Sequence, residues 1–298
     1  MIYSYPDVGS FGLGHSLIAW ARCVVWSSKN EVPILAPNWR RFRIGPYFRG
    51  ERDKRQYHRY FHFPNYICGV KRQYLLQRLP RFFGNDDDNL RIPFDVDGVV
   101  VFENMVSLNE ETYFHRIVSH VDLVRDALVS ITRPAYLPMG SKTPHIAIHV
   151  RIGDFSLVSL QDLKDGVKNA RIPIEWYCEM LLGIRARLKC DCPAMIYSDG
   201  SDEQLGMLLN LKQTFRAPRQ PAITDLLSMA DASLILSSGS GFSTWGAFLG
   251  QVPRICFPHQ RHCRTRPEGD TCDLEPDCEF AEELSLQFLE LAKERLGI

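Results

Sequence analysis

The stretch HIAIHVRIGDF (145–155) decides how this chain is read. IAIHV (146–150) is a short apolar run without polar alternation, the mark of a strand buried on both faces of a parallel sheet. An arginine, a glycine and an aspartate follow where that strand must end. In open α/β sheets, ligands bind outside the carboxyl ends of the strands. Arg151 offers there a planar, permanently charged fork suited to phosphate oxygens. Gly153 lets the backbone turn sharply or approach a ligand, and Asp154 is placed to hold the guanidinium still. A second reading stands beside this one: a surface Arg–Asp pair at a strand end, worth ~0–1 kcal/mol.

Working outward, strands and helices alternate. IEWYCEMLLGIRARL (174–188) has helical spacing and AMIYS (194–198) reads as a strand. Ser201 opens a helix with Gln204 as its capping-box partner. TFRA (214–217) is a weaker strand, and Thr224 starts the helix DLLSMADA (225–232). SLILS (233–237) is a strand, FSTWGAFL (242–249) a helix, PRICF (253–257) a strand, and 280–296 a closing amphipathic helix. Such alternation predicts a parallel sheet with helices on both faces, a Rossmann-like lobe.

The first half repeats the theme. IYSY (2–5), VPILA (32–36) and GVVVFE (98–103) read as strands, LGHSLIAWARCVVWSS (13–28) and LVRDALVSI (123–131) as helices. In the first helix Leu13, Leu17, Trp20, Ala21 and Val24 share one face. Residues 37–95 read as an irregular region rich in aromatics and arginine. PAYLPMGSKTP (134–144) reads as a linker, dividing an N-terminal lobe, 1–138, from a C-terminal lobe, 139–298. A length of 298 residues fits two lobes of ~100–200 residues each.

Lys plus Arg equals Asp plus Glu at 35 each, so net charge favours neither a nucleic-acid binder nor an acidic solvating protein. Nine unevenly spaced cysteines and no secretory apolar region before the first strand predict a reduced, cytoplasmic setting. No apolar run reaches the ~18–20 residues of a membrane span, so any membrane contact, at the inner face, is expected to be peripheral.

Three further stretches carry chemistry. SLILSSGSGFSTWGAFLG (233–250) runs strand, Ser/Gly loop, helix, and places Ser237, Ser238, Ser240, Gly241, Phe242 and Ser243 at a helix N-terminus. Backbone N–H groups, hydroxyls and the positive helix end together suit an anion. A glycine turn with a serine cap is the plainer alternative. With Arg151 at another strand end, two phosphate-directed elements converge, and a diphosphate fits them better than a monophosphate. In YSDGSDEQ (197–204), Asp199 either accepts bonds from a base or ribose or is a turn residue. In GSFGLGHS (9–16), Gly12 and Gly14 precede the first helix without the spacing of a dinucleotide fingerprint.

Taken in order, these stretches resemble the motifs of the α-1,2-, α-1,6- and protein O-fucosyltransferase superfamily. HVRIGDF is similar to its HVRRGDY, FGLGHSLIAWARCVVWSSKN to its GLGNQ-type motif and helix, IYSDGSDE to its FSDD motif. DLLSMADASLILSSGSGFSTWGAFLG is similar to DLxLMSxCxHxIIxNSSFSWWGAxL of the α-1,2 members. The resemblance covers about a quarter of the chain. It implies an α/β fold of GT-B type, two Rossmann-like lobes facing across a cleft, and metal-independent, inverting transfer of fucose from GDP-fucose to a glycan or glycolipid hydroxyl, in an α-1,2-type linkage. It implies no cofactor, and no nucleic acid as partner. By it Arg151 grips the donor diphosphate, His149 and Asp225 lie near the nucleotide, and Ser240, Phe242 and Ser243 fall in the loop holding phosphate and base.

Two departures bear on the sugar more than on the nucleotide: Ile152 stands where the motif has a second arginine, and His15 and Ser16 where it has Asn–Gln. They keep two alternatives open, a transferase for another GDP-sugar and a catalytically silent GDP-sugar-binding protein. Candidates for a general base are His15, which faces the interlobe cleft by the resemblance, Asp7 and Glu103.

Two segments stand apart. WRRFRIGPYFRGERDKRQYHRY (39–60) holds eight Lys/Arg among aromatics, the pattern of a single-strand nucleic-acid surface, but in a neutral chain a solvated basic face or an acceptor groove is expected. Cys256, His259, His262, Cys263, Cys272 and Cys278 lack a CxxC pair, so free thiols are expected rather than zinc, with 258–278 as a loop that closes over the sugar and carries Arg261, Arg264 and Arg266.

Overall fold

The structure, a computed structural model, describes residues 1–9, 11–40, 56–84, 96–103, 114–139, 143–261, 263–267, 270–275 and 284–298. The chain divides into two compact units, Met1–Leu137 with Pro221–Ile223, and Pro138–Gln220 with Thr224–Ile298. The first division falls just past a 3-10 turn, Pro134–Tyr136, where Pro138 has no N–H with which to continue it.

In the first unit, β1 (Ile2–Asp7), β2 (Arg81–Phe83) and β3 (Gly98–Glu103) form a parallel sheet in the order β1-β3-β2. The sheet is covered on both faces, which is why GVVVFE carries no polar alternation. Val100 and Phe102 pack with Cys23 and Trp26 of α1 (Leu13–Asn30), whereas Val99 and Val101 pack with Leu35 and Leu75, the last from α2 (Gly69–Arg78). α1 is buried nearly all round: from Leu13 to Ser27 every residue except His15 is enclosed. α3 (Val121–Ile131) adds Val124, Leu128 and Ile131.

The second unit is a six-stranded, wholly parallel sheet. Its strands are β4 (Ile146–Val150), β5 (Ala194–Ser198), β6 (Thr214–Arg216), β7 (Leu234–Ser237), β8 (Arg254–Cys256) and β9 (Asp273–Leu274). Their order is β6-β5-β4-β7-β8-β9. Numbered within the unit this is 3-2-1-4-5-6, the doubly wound order whose direction reverses between the first and fourth strands. Ile146, Ile148, Val150, Leu234 and Leu236 face α5 (Ile174–Leu188) and α9 (Leu286–Leu296), helices that follow the short α4 (Leu160–Lys164) and close the unit. The alternate residues Ala147 and Ile235 face Met229 of α7 (Ala222–Ala230) and Ala247 of α8 (Gly241–Gly250).

Some elements differ from the sequence expectation. VPILA makes isolated bridges, Ser4 to Ile34 and Leu35 to Ile67, because only two of its residues reach neighbours. The region read as irregular contains α2 and β2. α2 shows only Leu75 buried and leaves Val70 and Tyr74 exposed, so it carries no apolar stripe to find. The Ser201–Gln204 box forms, Gln204 N–H donating to Ser201 Oγ at 3.2 Å and Ser201 N–H to Gln204 Oε1 at 2.9 Å, but the helix after it is the single turn α6 (Gly206–Leu209). α7 begins at Ala222, which puts Thr224 inside it rather than at its cap. β6 ends at Arg216, and α9 starts at Leu286 under a Ser285 cap.

An ion pair is enclosed in this second core. Arg254 is 0% exposed, at the start of the otherwise apolar strand β8. Its Nε and Nη2 donate to the two carboxylate oxygens of Asp273, at 2.9 and 2.8 Å, pinning β8 to β9. Nη2 also donates to the Cys263 carbonyl at 2.6 Å, and Nη1 to Thr244 Oγ1 in α8 at 2.9 Å. Burial by itself disfavours both charges, but the pairing outweighs it: Asp273 is held below the usual carboxylate range and Arg254 above its own ordinary value. Removing one partner strands the other charge in the core. Asp273→Asn is therefore expected to cost about 3–5 kcal/mol in urea unfolding; a cost under ~1 kcal/mol would show that the pair does not hold this edge together.

Candidate functional site

The candidate site lies at the carboxyl ends of β4 and β7, neighbours at the point where strand order reverses. Connections from these two strands leave in opposite directions, which opens a crevice between them.

From β4 come His149, Arg151 and the turn beyond. Arg151 is ion-paired with Asp154 and with Asp199, the latter from Nη1 to Oδ2 at 3.1 Å, and its guanidinium carbon lies 5.3 Å from the Phe155 ring centroid. Asp199 follows β5 and accepts the N–H of Ile152 through Oδ1 at 2.8 Å. Burial would raise its pKa, but Arg151, the amides of Ile152 and Gly153, and His149 outweigh burial and leave the carboxyl below its ordinary value. Gly153 leaves room for this contact, since a Cβ there would meet Asp199 Oδ2 at 2.8 Å and displace the carboxylate. Ile152 is buried in the core beside β4 and β5. The position where the resembling motif has a second arginine thus turns away from Arg151's side of the sheet.

From β7 comes the Ser/Gly loop. Ser237 and Ser243 share a hydrogen bond at 2.8 Å, and Ser240 caps α8 by accepting the Phe242 N–H at 3.3 Å. Ser238 and Ser240 hydroxyls lie 3.0 and 3.2 Å from His149 Nδ1, joining the two strand ends directly. His149 stacks on Phe242 with ring centroids 6.2 Å apart. Burial, then the nearby Arg151, push its pKa down to about 3 against the opposing pull of Asp199. The ring is therefore neutral near pH 7. Gly239 adopts φ +70°, and a Cβ on it would meet the Gln260 carbonyl oxygen at 2.0 Å, so only glycine fits. Gln260 is itself fixed, donating to the carbonyls of Leu163 and Val167 at 2.9 and 3.1 Å.

Chemically, this end of the sheet presents one guanidinium, several hydroxyls and a helix N-terminus. Among the described residues no acceptor takes the N–H of Gly241 or of Ser243. Donors without acceptors at a positive helix end suit an anion, and the hydroxyls enlarge the nest. Arg151, bracketed by two carboxylates, supplies less net positive charge than a lone guanidinium.

The structure thus brings together His149, Arg151, Asp154, Asp199, Ser238, Ser240, Gly241, Phe242 and Ser243. Asp225, in the first turn of α7, acts on Tyr197, the register partner of His149, whose hydroxyl it helps to hold in the neutral form after the larger effect of burial. Gly12, Gly14, His15, Asp7 and Glu103 belong to the first unit. There Asp7 and Glu103 are register partners at the carboxyl ends of β1 and β3, and His15 sits in the first turn of α1 with Phe11 at 6.3 Å. Of the basic-aromatic segment, 41–55 lies outside the described residues. Its ends form core: Trp39, Tyr57 and Tyr60 are buried against Phe61 and Tyr136, and Tyr57 Oη accepts the Leu13 N–H at the start of α1 at 3.0 Å. His262 and Cys278 also lie outside the described residues. Among the described residues the eight cysteines form no disulfide, and no group of three or more His, Cys, Asp or Glu is placed to hold a metal ion. No helix among them is long and apolar enough to cross a membrane.

Sequence reasoning missed the supports. Arg216, ending β6, donates to the Gly200 carbonyl at 2.6 Å and pairs with Asp202, bracing the turn that carries Asp199. Lys168 donates to the His259 carbonyl at 2.8 Å, and Arg261 pairs with Glu275 at 3.3 Å, so the described start of the 258–278 loop is fastened at several points. The legible signal was Arg254, a charge inside the apolar run PRICF.

No protein-family model and no curated protein sequence matches the chain. Solved structures similar to it include the fucosyltransferase NodZ from Bradyrhizobium, at 15% identity over 86% of this chain and 94% of that one, with a TM-score of 0.48. NodZ α-1,6-fucosyltransferase soaked with GDP-fucose is 16% identical over 87% and 96%, TM-score 0.47, and POFUT1 in complex with GDP is 12% identical over 86% and 98%, TM-score 0.42.

His149 gives this site a pH signature. An unfolded chain protonates the ring near 6.5 and the folded one only near 3. Between those values the unfolded state binds more protons, so stability falls as pH falls, by up to about 1.4 kcal/mol per pH unit. Urea unfolding between pH 4.5 and 7.5 should show this extra slope in the native protein and lose it in His149→Gln. Equal slopes in both would mean that the ring is charged in the fold.

Proposed function

We propose that this chain is a glycosyltransferase of GT-B type that takes a GDP-sugar, GDP-fucose by the motif resemblance, as donor. The observation that carries this reading is the convergence of Arg151 and the 237–243 loop on the reversal point of the doubly wound sheet, held together by His149. One diphosphate is the ligand that uses a guanidinium at one strand end and unpaired amides with hydroxyls at the next.

In this reading Arg151 and the amides of Gly241 and Ser243 stabilise the departing diphosphate, in the manner of preorganised donors aimed at developing charge. Asp199 holds Arg151 in place, and His149, neutral and stacked on Phe242, orients Ser238 and Ser240. The resemblance supports inversion at the anomeric carbon and independence from metal, with attack by an acceptor hydroxyl. Among His15, Asp7 and Glu103 we favour His15 as general base, because it is the one residue of the first fifteen in α1 that is not enclosed. The acceptor is a glycan or glycolipid hydroxyl in an α-1,2-type linkage, and the setting is cytoplasmic, with at most peripheral contact to a membrane; these assignments rest on the resemblance and on composition. The units Met1–Leu137 and Pro138–Ile298, less the short exchange at 221–223, would serve acceptor and donor respectively.

Calorimetric titration with GDP, GDP-fucose, GDP-mannose, UDP and ADP tests this without added metal. GDP should bind in preference to UDP and ADP, and GDP-fucose more tightly than GDP-mannose. Arg151→Ala should weaken GDP by about 10- to 100-fold, the worth of a charged hydrogen-bonding group. Loss of guanine preference, or unchanged GDP affinity in the alanine variant, would overturn the reading.

A further inference from the structure

We propose that Thr244 and Arg254 are positioning residues, which aim the N–H of Gly241 at the bound diphosphate by locking the peptide plane between Ser240 and Gly241. The inference rests on the reading of the 237–243 loop as a phosphate site and goes beyond it, since neither residue belongs to the loop.

Three donors converge on the Ser240 carbonyl: Thr244 Oγ1 at 2.9 Å, Thr244 N–H at 3.2 Å and Ser243 Oγ at 3.2 Å. A threonine hydroxyl often returns a bond to the carbonyl four residues back in a helix. Here its direction is imposed. Arginine only donates, so the bond from Arg254 Nη1 at 2.9 Å occupies a lone pair of Thr244 Oγ1 and leaves its single proton for Ser240. Thr244 is wholly buried, and Arg254 is immobilised in turn by Asp273 and the Cys263 carbonyl.

The consequence follows from peptide geometry. In a trans peptide the carbonyl of one residue and the N–H of the next lie in one plane and point in opposite directions. Holding the Ser240 C=O along α8 therefore points the Gly241 N–H out of the helix N-terminus, where it has no acceptor among the described residues. Glycine at 241 imposes little backbone preference of its own, so this plane needs an outside brace. A buried ion pair on β8 and β9 thereby reaches the phosphate loop through one hydroxyl.

The test is GDP and guanosine binding by calorimetry to the full chain carrying Thr244→Val, Thr244→Ser or Thr244→Cys, with melting temperatures recorded beside it. Valine keeps the shape and loses the hydroxyl, and should weaken GDP by about tenfold while leaving guanosine within about twofold, because only the phosphate grip depends on the brace. Serine restores the relay and should stay within about twofold of the native protein for both ligands. Should the valine variant not fold, cysteine keeps a small polarisable group there and should shift GDP in the same direction. Native-like GDP affinity in a folded valine or cysteine variant, or an equal loss of guanosine affinity, would overturn the positioning role while leaving the diphosphate site standing. A native protein that binds no GDP would sink both.

Discussion

A parallel sheet wound outward in both directions from one strand must leave its two central strands without a covering connection at their carboxyl ends. In this chain those strands are β4 and β7, and the order β6-β5-β4-β7-β8-β9 leaves no other reversal. The candidate chemistry follows from that gap. His149 and Arg151 emerge on one side and the serine loop on the other, and the His149–Ser238 and His149–Ser240 bonds tie the two ends together. Because the ring is neutral, the tie does not add a fourth charge to a place already holding Arg151, Asp154 and Asp199.

Electrostatics at the site is unlike that of a simple basic pocket. Two carboxylates accompany one guanidinium, so the three groups together carry one net negative charge. The two carboxylates are not equivalent. Asp199 is fixed by a backbone amide and by the space Gly153 leaves for it, whereas Asp154 meets Arg151 from a more exposed position. Attraction for an anion must then come largely from oriented neutral dipoles, which are already in place and need no reorganisation when charge arrives.

The sequence made the second sheet legible because each strand is a short apolar run closed by polar turn residues, and because β4 and β7 end in residues with specific chemistry. His149, Arg151 and the serine loop could be found from those endings alone. Asp199 stood out at the end of its own strand, but its hold on Arg151 did not, and the supports Arg216 and Gln260 lie far away in the chain, where they look like ordinary polar surface. α2 and β2 were hidden for a different reason: one presents a single buried side chain and the other is three residues long. Arg254 sat in plain view as a charge in an apolar strand. The partner that makes it tolerable, Asp273, lies beyond an intervening loop with no pattern to link the two.

The register of β4 against β7 also bears on how the molecule is made. Ile146 pairs with Leu234, across a long stretch of chain that includes β5, β6 and four helices. Closing so large a loop is slow and is repaid only once the strands dock. A nascent chain that has not yet released β7 and α8 has no site at all, however well its first unit has folded. Possession of the site is thus a late event in maturation, and the capacity to hold ligand distinguishes a chain that has released α8 from every shorter intermediate.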